Sequence, residues 1–327
     1  MECNYVPILK WKQGEKNALS YLSDSVKDRI VPLIEIVSFN NKNNKNNKKQ
    51  KNYWDNRPFY LYINNELHGN NLKKFNKIKN EYNNNYTIPV ITNKNTDEII
   101  NNFIYTSNNG FAIRINKLEF KEIDNIIYRV NNLDYNMEID LILDLFNISS
   151  ADLDVENIFY LSNIINKLYN SIKFRRIIIA STAIPNSMSE YEKHKIIQIE
   201  RYEIKLFEKL SKKVYPKLVF SDYCTKYYKY MEYNHFVHKY FNIKYTTNDY
   251  YLLVKGELDK KGFEKENISF LCKLLTLDSR YCGENYSFGD KYIYDRSGSD
   301  LSLGYGNATT WITNCINHHI TFTSNNI

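Results

Sequence analysis

The feature that most limits how this chain can fold is an alternation: short apolar runs ending on polar residues, each followed by a segment with helical spacing. The runs fall at 5–11, 30–37, 59–63, 87–92, 110–116, 139–145, 176–185 and 217–222. Most are dense in Ile, Val, Leu and aromatic residues, as in Arg176-Ile-Ile-Ile-Ala-Ser-Thr-Ala-Ile-Pro185, which suits strands buried on both faces. The repeat averages about 28 residues, close to the ~30 of a strand–helix unit. Eight such units close a parallel barrel. An open doubly wound sheet usually carries a glycine-rich phosphate turn after its first strand, and Trp11-Lys-Gln-Gly14 is not one. The pattern therefore predicts a (β/α)8 TIM-like barrel.

Past Asp222 the pattern changes. A tyrosine-rich polar segment leads to a strand pair at 242–245 and 250–255, a helix near 263–277 and a loop at 283–306 with five of the chain's 10 glycines. A short helix around Trp311 and a last strand at 318–323 complete the reading. This segmentation predicts a barrel over 1–225 and a C-terminal α+β cap over 226–327, packed on the barrel. Residues 40–52 are almost wholly Asn and Lys without an apolar residue, which reads as a dispensable solvated insertion rather than a nucleic-acid-binding arm.

Charge and cysteine content narrow the function classes. The 44 basic residues against 37 acidic ones favour anionic partners, but the excess of +7 is too small and too dispersed for a dedicated nucleic-acid binder. Five cysteines without any C-x-x-C spacing argue against a disulfide framework or a structural zinc site and suit a reducing cytoplasm. No stretch approaches the length needed to span a bilayer, so no membrane association is expected.

In a parallel barrel the C-terminal strand ends converge, so residues far apart in sequence meet at one mouth. Lys10, Glu35, Arg114, Asp144 and Asp222 all sit at or near such ends, and the last four share the parity of their strands' inward positions. Glu35, Asp144 and Asp222 are the candidate catalytic carboxylates. Lys10, Arg114, Tyr223 and His318 are the candidate substrate-binding residues. Asp144 and Asp222 are the candidate ligands of a hard cation, Mg²⁺ or Mn²⁺, for metal-assisted phosphoester hydrolysis, and a metal-free alternative has Glu35 or Asp144 as general base. The competing reading is a set of structural ion pairs plugging the barrel top.

Two further groups carry expectations. On a helix running from 196 to 210, Glu203 falls among Ile196, Ile199, Leu206, Phe207 and Leu210, so it needs a partner such as Arg175 or Arg176, while Arg201 faces solvent. His318 and His319, on a strand, point to opposite faces and do not jointly chelate one ion. One of them with Asp290 or Asp222 would serve as acid or base, against the plainer reading of a packing histidine.

The chain resembles the beta family proteins, the family named after a phage beta protein. The resemblance rests on Tyr5-Val-Pro-Ile-Leu-Lys10 with Gly14-Glu15 and Ala18-Leu19, Pro32-Leu-Ile-Glu-Ile36, Ala112-Ile-Arg114 and Leu141-Ile-Leu-Asp144. It continues through Arg201-Tyr-Glu203, Ser221-Asp-Tyr223, Ser287-Phe-Gly-Asp290, Trp311 and Asn317-His-His319. Ser221 departs from the glycine usual there, and Ala183-Ile184 from Ser-Phe. The resemblance implies a phage or phage-defence setting and no particular reaction. The expected function is thus a cytoplasmic barrel protein that binds an anionic, phosphorylated or nucleic-acid ligand at its mouth; the alternative is a non-catalytic sensor or scaffold acting through a protein partner.

Overall fold

The computed structural model describes residues 3–39, 53–54, 56–230, 242–257, 265–298 and 302–327. The chain divides into two compact units, Met1–Trp11 with Arg29–Thr182 and Tyr202–Tyr223, and Lys12–Asp28 with Ala183–Arg201 and Cys224–Ile327. The insertion at 40–52 lies outside the described residues.

The first unit is the closed parallel barrel. Its strands are β1 (Tyr5–Leu9), β2 (Leu33–Ile36), β3 (Phe59–Ile63), β4 (Thr87–Thr92), β5 (Phe111–Asn116), β6 (Ile139–Asn147) and β7 (Phe174–Thr182). The next strand, β8 (Ile196–Glu200), belongs to the second unit, and β9 (Leu218–Asp222) closes the ring against β1, with Tyr5 opposite Phe220 and Pro7 opposite Asp222. All eight expected barrel strands are present. The helices between them are built from ordinary signals: Thr96 caps Asp97–Ile104 by accepting from the Ile99 N–H, and that helix buries Ile99, Ile100, Phe103 and Ile104. Asp154 caps Val155–Ser171 in the same way through Asn157, and Ile158, Leu161, Ile165 and Leu168 form its inner face. Each such side chain contributes roughly 1.5–3 kcal/mol by leaving water.

Polar bonds cross the barrel interior. Tyr60 on β3 donates to Asp140 on β6 at 2.7 Å, and since these strands are not neighbours the bond must span the lumen. The β6–β7 register shifts between Ile139 and Asp140, so that Arg175 and Arg176 together face one residue of β6. Both arginines turn to Asp140, Arg175 Nε at 2.9 Å and Arg176 Nη1 at 3.4 Å, while Arg175 also reaches Glu138. The bridge expected from Glu203 to either arginine is therefore not the one formed. Glu203 is nonetheless buried, as its place on the apolar face required.

The second unit is built on a three-stranded antiparallel sheet in the order β10 (Asn242–Thr246), β11 (Tyr250–Lys255), β8. Alternation divides its faces: Ile243, Tyr245, Leu252 and Val254 pack with Ile268, Leu271, Ile293 and Trp311, whereas Tyr251 and Leu253 pack with Ile184 and Ile199. Residues 196–200 are thus strand, not the start of a helix, and the helix begins at Tyr202. The β-branched run Ile196-Ile-Gln-Ile199 explains the difference, because it suits a pleated surface and pairs with β11 along its whole length. Arg201, expected in solvent, is buried and donates to the Thr247 carbonyl at 2.9 Å and to Thr323 Oγ1 at 3.4 Å.

Residues 318–323, expected as a strand, lie within the helix Ala308–Asn326. Asn307 starts that helix with a capping box to Thr310, and the mixed Thr, Asn and His content becomes compatible with helix because almost every side chain from Trp311 to Ser324 is buried against a partner. One partner is the helix Gln13–Ser20, whose Gly14 and Ala18 carbonyls accept from Thr313 Oγ1 and Asn317 Nδ2, each at 3.1 Å. Another is the helix Phe288–Ser297, where Gly289 donates its N–H to Asn317 Oδ1 at 3.1 Å. A methyl group at 289 would collide with the Asn314 carbonyl oxygen and stand 3.2 Å from His318 Cβ. Gly289→Ala is accordingly expected to lose ~1–3 kcal/mol, the range of an overpacked contact, read as a lower urea midpoint for the second unit. An unchanged midpoint would mean that the two helices separate without cost.

Candidate functional site

Toward the C-terminal ends of the strands the barrel interior carries a second polar network, and it gathers most of the predicted site. Lys10 follows the last residue of β1, Glu35 lies on β2, Arg114 on β5 and Asp144 on β6. Lys10 Nζ donates to Glu35 Oε2 at 2.6 Å, and Arg114 Nη1 lies 3.8 Å from the same oxygen. Arg114 donates to Asp144 Oδ2 from Nε at 3.0 Å and from Nη2 at 2.6 Å. Tyr223, directly after β9, donates its hydroxyl to that oxygen at 2.6 Å and accepts from Arg114 Nη2 at 2.8 Å. Contacts from β5 to β2 and to the end of β9 join strands that are not adjacent, so this network also fills the lumen.

Aromatic rings complete it. Lys10 Nζ stands 5.0 Å from the Tyr223 ring centre, and the Arg114 guanidinium 4.8 Å from that of Tyr62. A cation facing a ring in a desolvated setting gains on the order of 2 kcal/mol. The two cations match two carboxylates, and all four charged residues are less than a tenth exposed.

Electrostatics fix the protonation states. Burial pushes the Glu35 carboxyl up, but Lys10 and then Arg114 outweigh it and hold the group below the usual carboxylate range. Burial followed by the Asp144 charge drives the Tyr223 hydroxyl well above its ordinary value, and burial lifts Tyr62 to about 12. Burial opposes the charge of Arg114, yet Tyr223, Asp144 and Glu35 raise its pKa overall. At neutral pH Glu35 is therefore ionised and a weak base, while both tyrosines are proton donors. Asp144 also accepts the Phe146 N–H on Oδ1 at 3.0 Å, where Phe146 takes a left-handed conformation with φ 59°.

The remaining predicted residues lie elsewhere. Asp222 is fully buried and accepts from the Tyr5 hydroxyl at 2.7 Å, a bond between the neighbouring strands β9 and β1. His318 lies in the second unit, where it is fully buried; Nδ1 is 2.8 Å from Asp290 Oδ2 and Nε2 is 2.8 Å from the Thr246 carbonyl oxygen. The pairing of a histidine with Asp290 that the sequence suggested is present. On the helix, His318 and His319 do not point to opposite faces: His319 Nδ1 lies 2.8 Å from Thr246 Oγ1, so both rings reach the same residue.

Tyr5 and Tyr62 were absent from the sequence reading of the site. Tyr62 could have been found from parity, since it shares Tyr60's face on β3 and pairs with Glu35 in the register. Tyr5 carried no signal beyond being a large polar-tipped residue at a strand start.

Among the described residues no helix is long and apolar enough to cross a membrane. A family model described as Beta protein matches residues 5–325. No curated protein and no solved structure matches the chain.

Proposed function

We propose that this chain, which belongs to the Beta protein family, is a binding protein that takes up an anionic group, a carboxylate or a phosphate, at the C-terminal end of its barrel. The observation that carries the reading is the pair of incompletely used cations around Glu35. Among the described residues Lys10 hydrogen-bonds only to Glu35, and Arg114 Nη1 stops 3.8 Å short, outside hydrogen-bond range. Two N–H groups of the ammonium and both of Nη1 are thus left for an acceptor. An incoming anion lies between them and takes over part of Glu35's role.

The proposal is one of binding rather than hydrolysis. Both Asp144 oxygens already accept N–H or O–H donors, Asp222 is bonded to Tyr5, and Glu35 is too weakly basic to serve as a general base. A phosphorylated small molecule or a nucleic-acid end, met in a phage-related setting, has the required chemistry. The second reading is the sensor or scaffold whose barrel is simply plugged, and it is favoured by the balance of two cations with two carboxylates.

The test titrates inorganic phosphate, a nucleoside monophosphate and a short oligonucleotide at constant ionic strength, following thermal unfolding and the ³¹P line width. Saturating ligand is expected to stabilise the wild type, by ~2.7 kcal/mol at a hundredfold excess over Kd. Lys10→Gln, which retains a donor to Glu35, should lose that response while still unfolding cooperatively. No response to any of the three ligands in the wild type would leave the plugged-barrel reading standing.

A further inference from the structure

Away from the mouth, the first unit carries a groove of ≈ 510 Å³ between the helices Val155–Ser171 and Tyr202–Ser211. One side is apolar, formed by Leu153, Val155 and Phe159, and the other is set by Lys209, Lys212 and Lys213; no acidic residue lines it. The apolar side is open to water, with Val155 85% and Phe159 66% exposed, which is unusual for such side chains on a long helix. Positions 155, 159, 162, 166 and 169 advance by alternating steps of four and three, the spacing of a single seam along a helix. That seam spans about 21 Å at 1.5 Å per residue. At its far end Tyr169 and Tyr215 extend the apolar surface, their rings 6.2 Å apart and Tyr215 89% exposed.

The charge of the groove selects the occupant. Lys209 donates to the Leu153 carbonyl at 2.9 Å, while Lys212 and Lys213 have no ion pair among the described residues. Two nearby acids are committed to the backbone, since Asp154 Oδ1 accepts the Asn157 N–H and Asp152 Oδ2 the Ser149 N–H, while Glu156 and Glu208 stand on the two helices without lining the groove. We infer that this groove docks an acidic amphipathic helix of a protein partner, laying an apolar stripe on Val155, Phe159 and Tyr169 and its carboxylates against Lys209, Lys212 and Lys213. The seam length fits four turns of helix, and a heptad-spaced face needs a heptad-spaced complement. The basic insertion at 40–52 of this chain has the wrong charge for the position. The inference is independent of the anion reading of the barrel mouth.

The test uses a fluorescein-labelled designed helix with Leu at its seam positions and Glu on the flanks, and a control in which every Glu is Lys. Anisotropy should show saturable binding of the acidic peptide, weakened by added salt, and at least tenfold weaker binding of the Lys control. Lys212→Glu/Lys213→Glu should weaken the acidic peptide at least tenfold and improve the control, and Phe159→Ser should weaken both. These sites are exposed, so the variants should keep the wild-type melting temperature. Equal affinity for the two peptides, no binding of either, or an affinity unmoved by all three substitutions would overturn the inference. So would concentration-dependent dimerisation that Phe159→Ser abolishes, since the occupant would then be a second copy of this chain.

Discussion

Asp144→Ala is expected to remove ~3–5 kcal/mol of stability, the range for deleting one partner of a buried ion pair. The carboxylate is fully buried, and three donors converge on Oδ2: Arg114 Nε, Arg114 Nη2 and the Tyr223 hydroxyl. Without it the guanidinium remains desolvated, and among the described residues Glu35 at 3.8 Å is the carboxylate left to balance it. The Phe146 N–H loses its acceptor as well, and with it the bond that accompanies a left-handed residue bearing a side chain, a conformation costing about 1–2 kcal/mol. Asp144→Asn keeps the shape but turns an amide toward a cation, and should recover little. Asp124→Ala is the control: its pair with Lys167 at 2.7 Å is exposed, with Asp124 at 82%, and such pairs contribute ~0–1 kcal/mol. Guanidinium unfolding of the three variants measures the contrast. Equal and small losses for Asp144→Ala and Asp124→Ala would show that water replaces the carboxylate and that the interior is wetter than its burial implies.

The same network shows how far the sequence could be read. Eight apolar runs at regular spacing announced the barrel because strands buried on both faces need near-continuous Ile, Val and Leu. Parity then placed Glu35, Arg114 and Asp144 on inward positions, and the closed ring brings them together with Lys10 and Tyr223. Asp222 shares that parity, yet it accepts a bond sideways from Tyr5, because a side chain's inward direction does not say which of several inward groups it meets. The second unit was less legible for a physical reason. Its long helix Ala308–Asn326 is enclosed by partners on most sides, so the periodic contrast that reveals an amphipathic helix is missing. Its β8 strand lies directly before a helix, and the three-residue step from Ile196 to Ile199 matches the helix's apolar spacing, although on the strand the two fall on opposite faces. The bulge that turns Arg175 and Arg176 onto Asp140 is a property of paired strands and has no signature in one strand alone.

The His318–Asp290 pair supplies the second large effect, and pH separates its parts. Asp290 is fully buried; Oδ1 accepts from the Tyr245 hydroxyl at 2.7 Å, and Oδ2 accepts from Ser287 Oγ at 2.5 Å and from His318 at 2.8 Å. The His318 ring stacks on Tyr245 with centroids 3.8 Å apart. Burial pushes the Asp290 carboxyl up, but the His318 charge, the His318 bond and the two hydroxyl donors hold it below the usual range. A carboxylate whose folded pKa is depressed contributes stability fully above its unfolded value of about 3.9 and loses that contribution as pH falls through the folded value. Asp290→Asn should therefore cost ~3–5 kcal/mol at neutral pH, because His318 is left facing an amide in a buried site. The deficit should begin to shrink below about pH 4, where the unfolded chain's carboxyl takes up a proton, and go on shrinking as pH falls to the lower folded value. Urea midpoints of the second unit for both proteins from neutral to acidic pH give the comparison. A deficit of constant size across that range would mean that the carboxylate acts only by shape and hydrogen bonding, and that the pair carries no net charge interaction.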